Sequence, residues 1–352
     1  MVDWMEYLKI AVEHEASDVF FVAGKAACEK REGHIYPMNE NRLMPMDTEK
    51  IITQLYAAAQ RPMDSYLSRG DDDFSFAVPG LARFRVNTYR QRGSMAAVIR
   101  VVSFDIPDWR EWQIPEAVMD LAEETSGMIL VTGTAGSGKT TTQACIIDRI
   151  NRTRDCHIVT LEDPIEYLHR HQKSIVSQRE VTIDTSDYLC ALRACVRQAP
   201  DVILLGEMRD AQTMQTAMSA AETGHLVIAT LHTKGTVNAI DRIIDIFPAA
   251  QQTQIRVQLA TVLKTVVSQQ LLPDCEGNMI PACEIMHMTG AIRSMIRDNR
   301  NHQIDNAIAA SGKEGMISMD QAILKLYKQG KITRETALLY ADKPDQMKRN
   351  MT

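Results

Sequence analysis

Residues 133–140 read Gly-Thr-Ala-Gly-Ser-Gly-Lys-Thr and match the phosphate-loop pattern G-x-x-x-x-G-K-[ST] at every fixed position. An apolar segment at 128–132 predicts a strand that enters this loop, and residues 141–150 predict a helix that leaves it. The glycines allow backbone N–H groups to turn toward phosphate oxygens at the start of that helix, where the helix dipole favours anions. The pattern therefore indicates a nucleotide site in an α/β fold, and not a glycine-rich turn that carries a lysine by chance.

Within this loop we expect Lys139 to reach the β- and γ-phosphates of ATP and Thr140 to hold Mg²⁺. The predicted nucleotide-binding residues are Gly133, Thr134, Ala135, Gly136, Ser137, Gly138, Lys139, Thr140 and Thr141.

Two acidic segments follow other predicted strands. Strand 202–206 leads to Glu207, which we expect to share Mg²⁺ with Thr140; the alternative is an ordinary exposed glutamate at a strand end. The segment Leu-Glu-Asp-Pro-Ile-Glu at 161–166 follows strand 157–161, and one of its carboxylates could deprotonate the attacking water. On chemistry alone, a solvated acidic turn before a helix opened by Pro164 is an equal alternative.

Two histidines, His225 and His232, flank the predicted strand 226–231. They stand at opposite ends of that strand, so their spacing does not suit a shared metal site. Each is a candidate for sensing the γ-phosphate or for a subunit contact, and the alternative is a plain polar residue at a strand end.

Arginines are also candidates, because charge spreads over the transferring phosphoryl group and P-loop motors commonly stabilise it with a guanidinium. Arg193 and Arg197 lie four residues apart on a predicted helix at 187–198 and so share one face. We expect one of them to act across a subunit interface, whereas arginines of an N-terminal meander close over the nucleotide. Those N-terminal candidates are Arg83, Arg85 and Arg100.

The rest of the chain divides into an α+β part and an α/β part. Helices are predicted at 3–15 and 48–60, followed by an antiparallel meander over 74–102. From residue 116, short apolar strands alternate with helices, which indicates a mainly parallel sheet. Residues 251–271 predict one long helix, and everything after 290 is predicted helical. The strands are expected at 128–132, 157–161, 202–206 and 226–231, and the helices at 139–151, 187–198, 210–223 and 236–246.

Composition excludes several classes of protein. The net charge is −6 and aromatic residues make up 5%, which argues against direct binding of nucleic acid. No apolar run approaches the length of a membrane span, and no secretory signal is visible at the N-terminus. The seven cysteines never form C-x-x-C, so we expect reduced thiols in a cytosolic protein and no zinc site.

Four motifs in order carry a family resemblance: GTAGSGKTTT, LEDPIEY, VILLGEMRD and AETGHLVIATLHT. Together they resemble the secretion ATPase superfamily. The segments DFSF, GLARFRVN, DRIIDIFPA and AIRSMIR are similar to those of the pilus retraction ATPases of the PilT/PilU type. The resemblance covers nearly the whole chain and departs from the family pattern at Thr134, Ala135 and Ala199 and over residues 23–38.

The resemblance implies a PAS-like domain at 1–102, a linker at 103–115, a RecA-like ATPase domain at 116–290 and a helical region at 291–352. It implies a homohexameric, Mg²⁺-dependent ATPase that disassembles a type IV pilus during twitching motility. Its partners would be an inner-membrane pilus platform protein and a paralogous pilus ATPase, which place it at the cytoplasmic face of the inner membrane. Matched to the family's motifs, Lys139 and Thr140 are the Walker A pair, Glu207 is the Walker B acid, Glu166 is the water-activating carboxylate, and His225 and His232 form the His box.

Two alternatives stay open at this point. One is a P-loop motor for another secretion or DNA-transport cargo, against which the acidic charge and low aromatic content argue. The other is a nucleotide-binding accessory subunit of a paralogous pilus motor, against which the presence of Lys139, Glu166 and Glu207 argues.

Overall fold

The structure, a computed structural model, describes residues 3–31, 33–102, 106–310 and 315–351. It forms two compact units: Met1–Asp105 with Glu166–Leu168, and Ile106–Ile165 with His169–Thr352. The first three residues of the predicted linker, 103–105, lie outside the described residues. The domain boundaries predicted at 102 and 290 stay predictions.

The first unit is a six-stranded sheet with helices, as expected for an α+β domain. All neighbouring strands are antiparallel, in the order β3-β2-β1-β6-β5-β4. Alternate residues of the meander point inward, so Phe74, Phe84, Val86 and Ile99 join one buried cluster with Leu8. The elements are α1 Trp4–Glu13, β1 Asp18–Phe21, β2 Cys28–Arg31, β3 His34–Pro37, α2 Pro45–Ala58, α3 Asp64–Arg69, β4 Asp71–Val78, β5 Ala82–Gln91 and β6 Ser94–Val102.

The second unit is built on a seven-stranded sheet in the order β13-β12-β7-β11-β10-β8-β9. Every neighbouring pair is parallel except β12 with β13. The central strands β7, β10 and β11 are buried along their whole length and mostly apolar, as expected where helices cover both faces of a parallel sheet. The strands are β7 Gly127–Thr132, β8 His157–Glu162, β9 Ile175–Glu180, β10 Val202–Leu205, β11 Leu226–Leu231, β12 Leu263–Pro273 and β13 Met279–His287.

The helices of this unit follow the predicted alternation, and the region after 290 is largely helical. The predicted fold class is confirmed. In the part of the chain that the structure describes, no helix has both the length and the apolar character needed to cross a membrane. The helices are α4 Glu116–Met119, α5 Lys139–Thr153, α6 Tyr188–Cys195, α7 Ala211–Glu222, α8 Thr236–Asp245, α9 Ala249–Val262, α10 Gly290–Arg297, α11 Ile304–Ala310, α12 Met319–Lys328, α13 Arg334–Tyr340 and α14 Pro344–Asn350.

The single long helix predicted at 251–271 is wrong beyond residue 262. Helix α9 ends at Val262, and Leu263 turns to an extended conformation with φ −64° and ψ 132°. Strand β12 then pairs with β7 on one side and with β13 on the other. The ladder with β7 covers 263–268 and the ladder with β13 covers 265–273, and β-branched side chains in the segment suit a buried strand. Strands β9 and β13 were not predicted either.

Candidate functional site

The phosphate loop leaves the carboxyl end of β7, in the middle of the parallel sheet. Gly133, Gly136 and Gly138 adopt φ values of +145°, +74° and +83°, a region that favours glycine. Helix α5 begins at Lys139, so the loop's backbone N–H groups gather at a helix N-terminus. The local sequence therefore folds as a cradle for an anion.

Lys139 lies on the inner side of this cradle and is only 7% exposed. Its Nζ donates to the carbonyl oxygens of Gly133 at 3.0 Å and Thr134 at 2.8 Å. The ammonium group is thus held at the mouth of the loop, where a phosphate group would meet it.

Gln269 of β12 also contacts the loop. Its Nε2 donates to the carbonyl oxygen of Ser137 at 2.8 Å, and its Oε1 accepts from Thr142 Oγ1 at 2.8 Å. Sequence reasoning missed this residue because it assigned position 269 to a helix. No motif at that position signals the contact.

Glu207 follows β10 and is nine-tenths buried at the same edge of the sheet. Its Oε1 pairs with Arg209, and its Oε2 lies 3.3 Å from Nε2 of His232, which follows β11. Thr230 Oγ1 donates to the carbonyl of Gly206 and so ties β11 to the residue before Glu207. The structure brings Glu207 and His232 together, and it adds Arg209, which sequence reasoning did not single out.

The acidic segment 161–166, which begins within β8, divides in two. Glu162 is buried, and its Oε1 accepts from Thr160 Oγ1 at 2.6 Å and from Gln178 Nε2 at 3.2 Å. Glu166 is exposed and belongs to the first compact unit. The helix considered after Pro164 is absent, because residues 163–174 form bends and irregular backbone before β9. Burial, together with nearby carboxylates, raises the pKa of the Tyr188 hydroxyl.

Three further predicted residues of the second unit lie before β11 and around the end of α6. His225 precedes β11, and its carbonyl accepts from the Gly127 N–H at the start of β7. It therefore stands at the opposite edge of the sheet from His232, with its Nδ1 2.9 Å from the carbonyl oxygen of Ala220. Arg193 is exposed on α6, whereas Arg197 lies beyond the end of that helix and donates to the carbonyl of Arg193 at 2.7 Å.

The edge that carries the loop fits a nucleotide polyphosphate and Mg²⁺. Among the residues that the structure describes, none forms a hydrogen bond with the buried Ser137 Oγ, so a polar group inside the cradle remains to be satisfied. Thr140 follows β7 and Glu207 follows β10, with only β11 between these two strands. A hydroxyl and a carboxylate are the oxygen ligands that Mg²⁺ prefers. The arrangement suits binding of a nucleoside triphosphate with its metal.

Comparison with known proteins places this chain among motor ATPases of similar length. The sequence matches the family described as "Type II/IV secretion system protein" over residues 2–343. It is 38% identical over 348 residues to "Type IV pilus retractation ATPase PilT" of Pseudomonas aeruginosa, covering 98% of this chain and 99% of that protein. It is 36% identical over 348 residues to "Type IV pilus ATPase PilU" of the same organism, covering 99% and 91%. A crystal structure of the pilus retraction motor PilT with bound ADP has a TM-score of 0.91 at 43% identity and covers 99% of this chain and 100% of that one.

Proposed function

The chain belongs to the type II/IV secretion system protein family, and on that premise we propose that it hydrolyses ATP to drive retraction of a type IV pilus. The observation that supports this most directly is a complete phosphate loop at the carboxyl end of buried β7, with the buried Glu207 two strands away. The similarity to a type IV pilus retraction ATPase, which extends over both full chains, supports the pilus as the structure on which the motor acts.

We assign the binding steps to residues of the second unit. Backbone N–H groups of 133–141 and the ammonium of Lys139 hold the phosphates of ATP. Thr140 and Glu207 would hold Mg²⁺, which when bound neutralises charge on the phosphate oxygens. His232 and Arg209 contact Glu207 and fix the direction of its carboxylate.

The chemical step needs a base and a cation for the developing charge. We propose Glu166 as the carboxylate that takes a proton from the attacking water, as the family motif implies. Arg193 or Arg197 would act on the nucleotide of a neighbouring subunit in a hexamer, and His225, remote from the loop, would serve a subunit contact. The ring would work at the cytoplasmic face of the inner membrane through a pilus platform protein.

Replacement of the loop lysine tests this function. Lys139→Ala should lower ATP turnover roughly a hundredfold, because a cation preorganised on the β- and γ-phosphates is lost. Lys173→Ala removes an exposed lysine of the same unit and is the matched control. Purified variants are assayed for phosphate release and then returned to cells that lack their retraction ATPase, where Lys139→Ala should fail to restore pilus retraction. Wild-type protein that neither hydrolyses ATP nor restores retraction would contradict the proposal.

A second candidate is an accessory subunit of a paralogous pilus motor. The identity to PilU, 36%, is almost that to PilT, 38%, so similarity alone does not choose between them. Expression of the chain in P. aeruginosa strains that lack either protein separates the two. Rescue of the strain without PilT supports the motor, whereas rescue only of the strain without PilU supports the accessory role.

Mixed rings test the arginines. Arg193→Ala and Lys139→Ala proteins should each retain only a small fraction of the wild-type turnover alone. If Arg193 acts across the interface, mixed rings contain some sites with an intact loop facing an intact arginine, and activity partly returns. A mixture of wild-type and Lys139→Ala protein shows how many intact sites a ring needs. Subunit exchange without any recovery, in rings that tolerate Lys139→Ala subunits, would place the arginine within its own chain.

A further inference from the structure

Gln269 is only 2% exposed, and both the nitrogen and the oxygen of its side-chain amide form hydrogen bonds with the phosphate-loop region. The carbonyl of Ser137 can only accept, so the end of the amide that faces it is the NH₂ group. The other end is then the amide oxygen, and the hydroxyl of Thr142 must donate to it. The Ser137 carbonyl thus determines which way the Gln269 amide points, and the Thr142 hydroxyl donates to the oxygen at the other end.

The backbone of β12 also reaches the loop. Ser268 pairs with Thr132 in the parallel ladder with β7, so Gln269 lies beside Gly133 as the chain leaves that strand. A Cβ atom on Gly133 would clash with the Gln269 carbonyl oxygen, and one on Gly138 would lie 2.8 Å from Gln269 Nε2. The backbone of Gln269 therefore leaves no room for a side chain at Gly133, and a side chain at Gly138 would displace the Gln269 amide, in addition to the positive φ angles of both glycines.

The two hydrogen bonds enclose the residues that meet the nucleotide. Ser137 precedes Lys139 and Thr140, and Thr142 follows them in the first turn of α5. Gln269 therefore holds both sides of the segment whose N–H groups, ammonium and hydroxyl must be aligned before a phosphate binds. A loop already held in its binding conformation loses less conformational entropy on binding.

We propose that Gln269 is a positioning residue for nucleotide binding, which keeps the phosphate loop in its binding conformation through Ser137 and Thr142. The inference rests on the proposed function, since it assumes that the loop binds ATP. Gln269 does not itself take part in the transfer, so its loss should affect binding of ground state and transition state alike.

The test measures nucleotide affinity and turnover on full-length variants. Gln269→Met keeps the side chain's length and removes both hydrogen bonds. It should raise the Kd of a fluorescent ADP analogue and the KM for ATP about tenfold, with kcat within about twofold of wild type. Thr142→Val should raise Kd and KM severalfold. Thr142→Ser keeps the hydroxyl and should have the Kd and KM of wild type. The double variant should bind no more weakly than Gln269→Met, because Thr142 acts through the amide.

Gln270→Met is the matched control, since it makes the same change one position along the strand, at a side chain whose Nε2 forms no hydrogen bond with any residue in the described part of the chain. It should leave Kd and KM unchanged. Wild-type binding by Gln269→Met, or additive effects in the double variant, would overturn this inference and leave the proposed function standing. If Gln269→Met does not fold, wild-type binding by Thr142→Val overturns it instead. Failure of the wild-type chain to bind either nucleotide would overturn the proposed function and this inference with it.

Discussion

Nε2 of His232 lies 3.3 Å from Oε2 of Glu207, so the residue after β11 meets the residue two positions after the end of β10. The two strands are parallel neighbours, and their carboxyl ends therefore reach the same edge of the sheet. Arg209 pairs with the other oxygen of the same carboxylate. Glu207 is thus held between an imidazole and a guanidinium, two strands away from the phosphate-loop strand β7.

The contact predicts a role for His232 through Glu207. His232→Ala should lower kcat about tenfold, ~1.4 kcal/mol, because the carboxylate loses one of the groups that orient it. Glu207→Gln should lower kcat further and shift the Mg²⁺ concentration that gives half-maximal activity, since an amide binds the ion weakly. Steady-state assays across a magnesium titration measure both effects. His302→Ala, which replaces an exposed histidine of the same unit, is the control. Equal kcat values for His232→Ala and this control would show that His232 does not support Glu207 in turnover.

Glu284 should matter for stability. Its buried carboxylate accepts from the Thr236 N–H at 2.8 Å and from the Met319 N–H at 3.2 Å, at the N-termini of α8 and α12. Glu284→Ala leaves two N–H groups without that acceptor and should destabilise the protein by about 2–4 kcal/mol. Glu276→Ala changes an exposed turn and should cost less than about 0.5 kcal/mol. Urea unfolding of the three proteins provides the comparison, and equal midpoints for both variants would show that Glu284 is not needed at these helix ends.

His169 should make stability depend on pH. Burial lowers its pKa from 6.5 to about 4. Between these values the unfolded chain binds more protons than the folded one, so stability falls as pH drops from about 6.5 toward 4. The full penalty is roughly 3 kcal/mol. His169→Gln should lose less stability than wild type between pH 7.5 and pH 5 in urea titrations, with His302→Gln as control. An unchanged pH dependence in His169→Gln would contradict the assignment.

The cysteines should differ in reactivity. Cys190 and Cys275 are exposed. Burial raises the pKa of Cys145 to about 12, of Cys195 to about 11 and of Cys283 to about 12, so these thiols carry almost no thiolate near neutral pH. Brief maleimide treatment at pH 7.5 followed by peptide mass spectrometry should find label on Cys190 and Cys275 well before the buried three. Early label on Cys283 would show that the β12–β13 edge opens.

The sequence was sufficient for the fold class and the family, and both predictions are confirmed. The phosphate loop could be predicted because its geometry is local: Gly133, Gly136 and Gly138 take the positive φ angles that the motif requires. The alternation of apolar strands and helices after residue 116 is also a local pattern. The roles of Glu166, Glu207, Arg193, Arg197, His225 and His232 stay predictions, since they depend on bound nucleotide and on neighbouring subunits.

Tertiary structure decided what surrounds the loop. Residues 263–273 are a strand because β7 and β13 offer them hydrogen-bond ladders, and no periodicity within 251–271 contains that information. Gln269 reaches Ser137 and Thr142 across more than a hundred residues of chain for the same reason. The sequence by itself determined the local backbone that can receive a phosphate. The pairing of distant strands decided which side chains hold that backbone in place, because the energy of a sheet lies between its strands and not within any one of them.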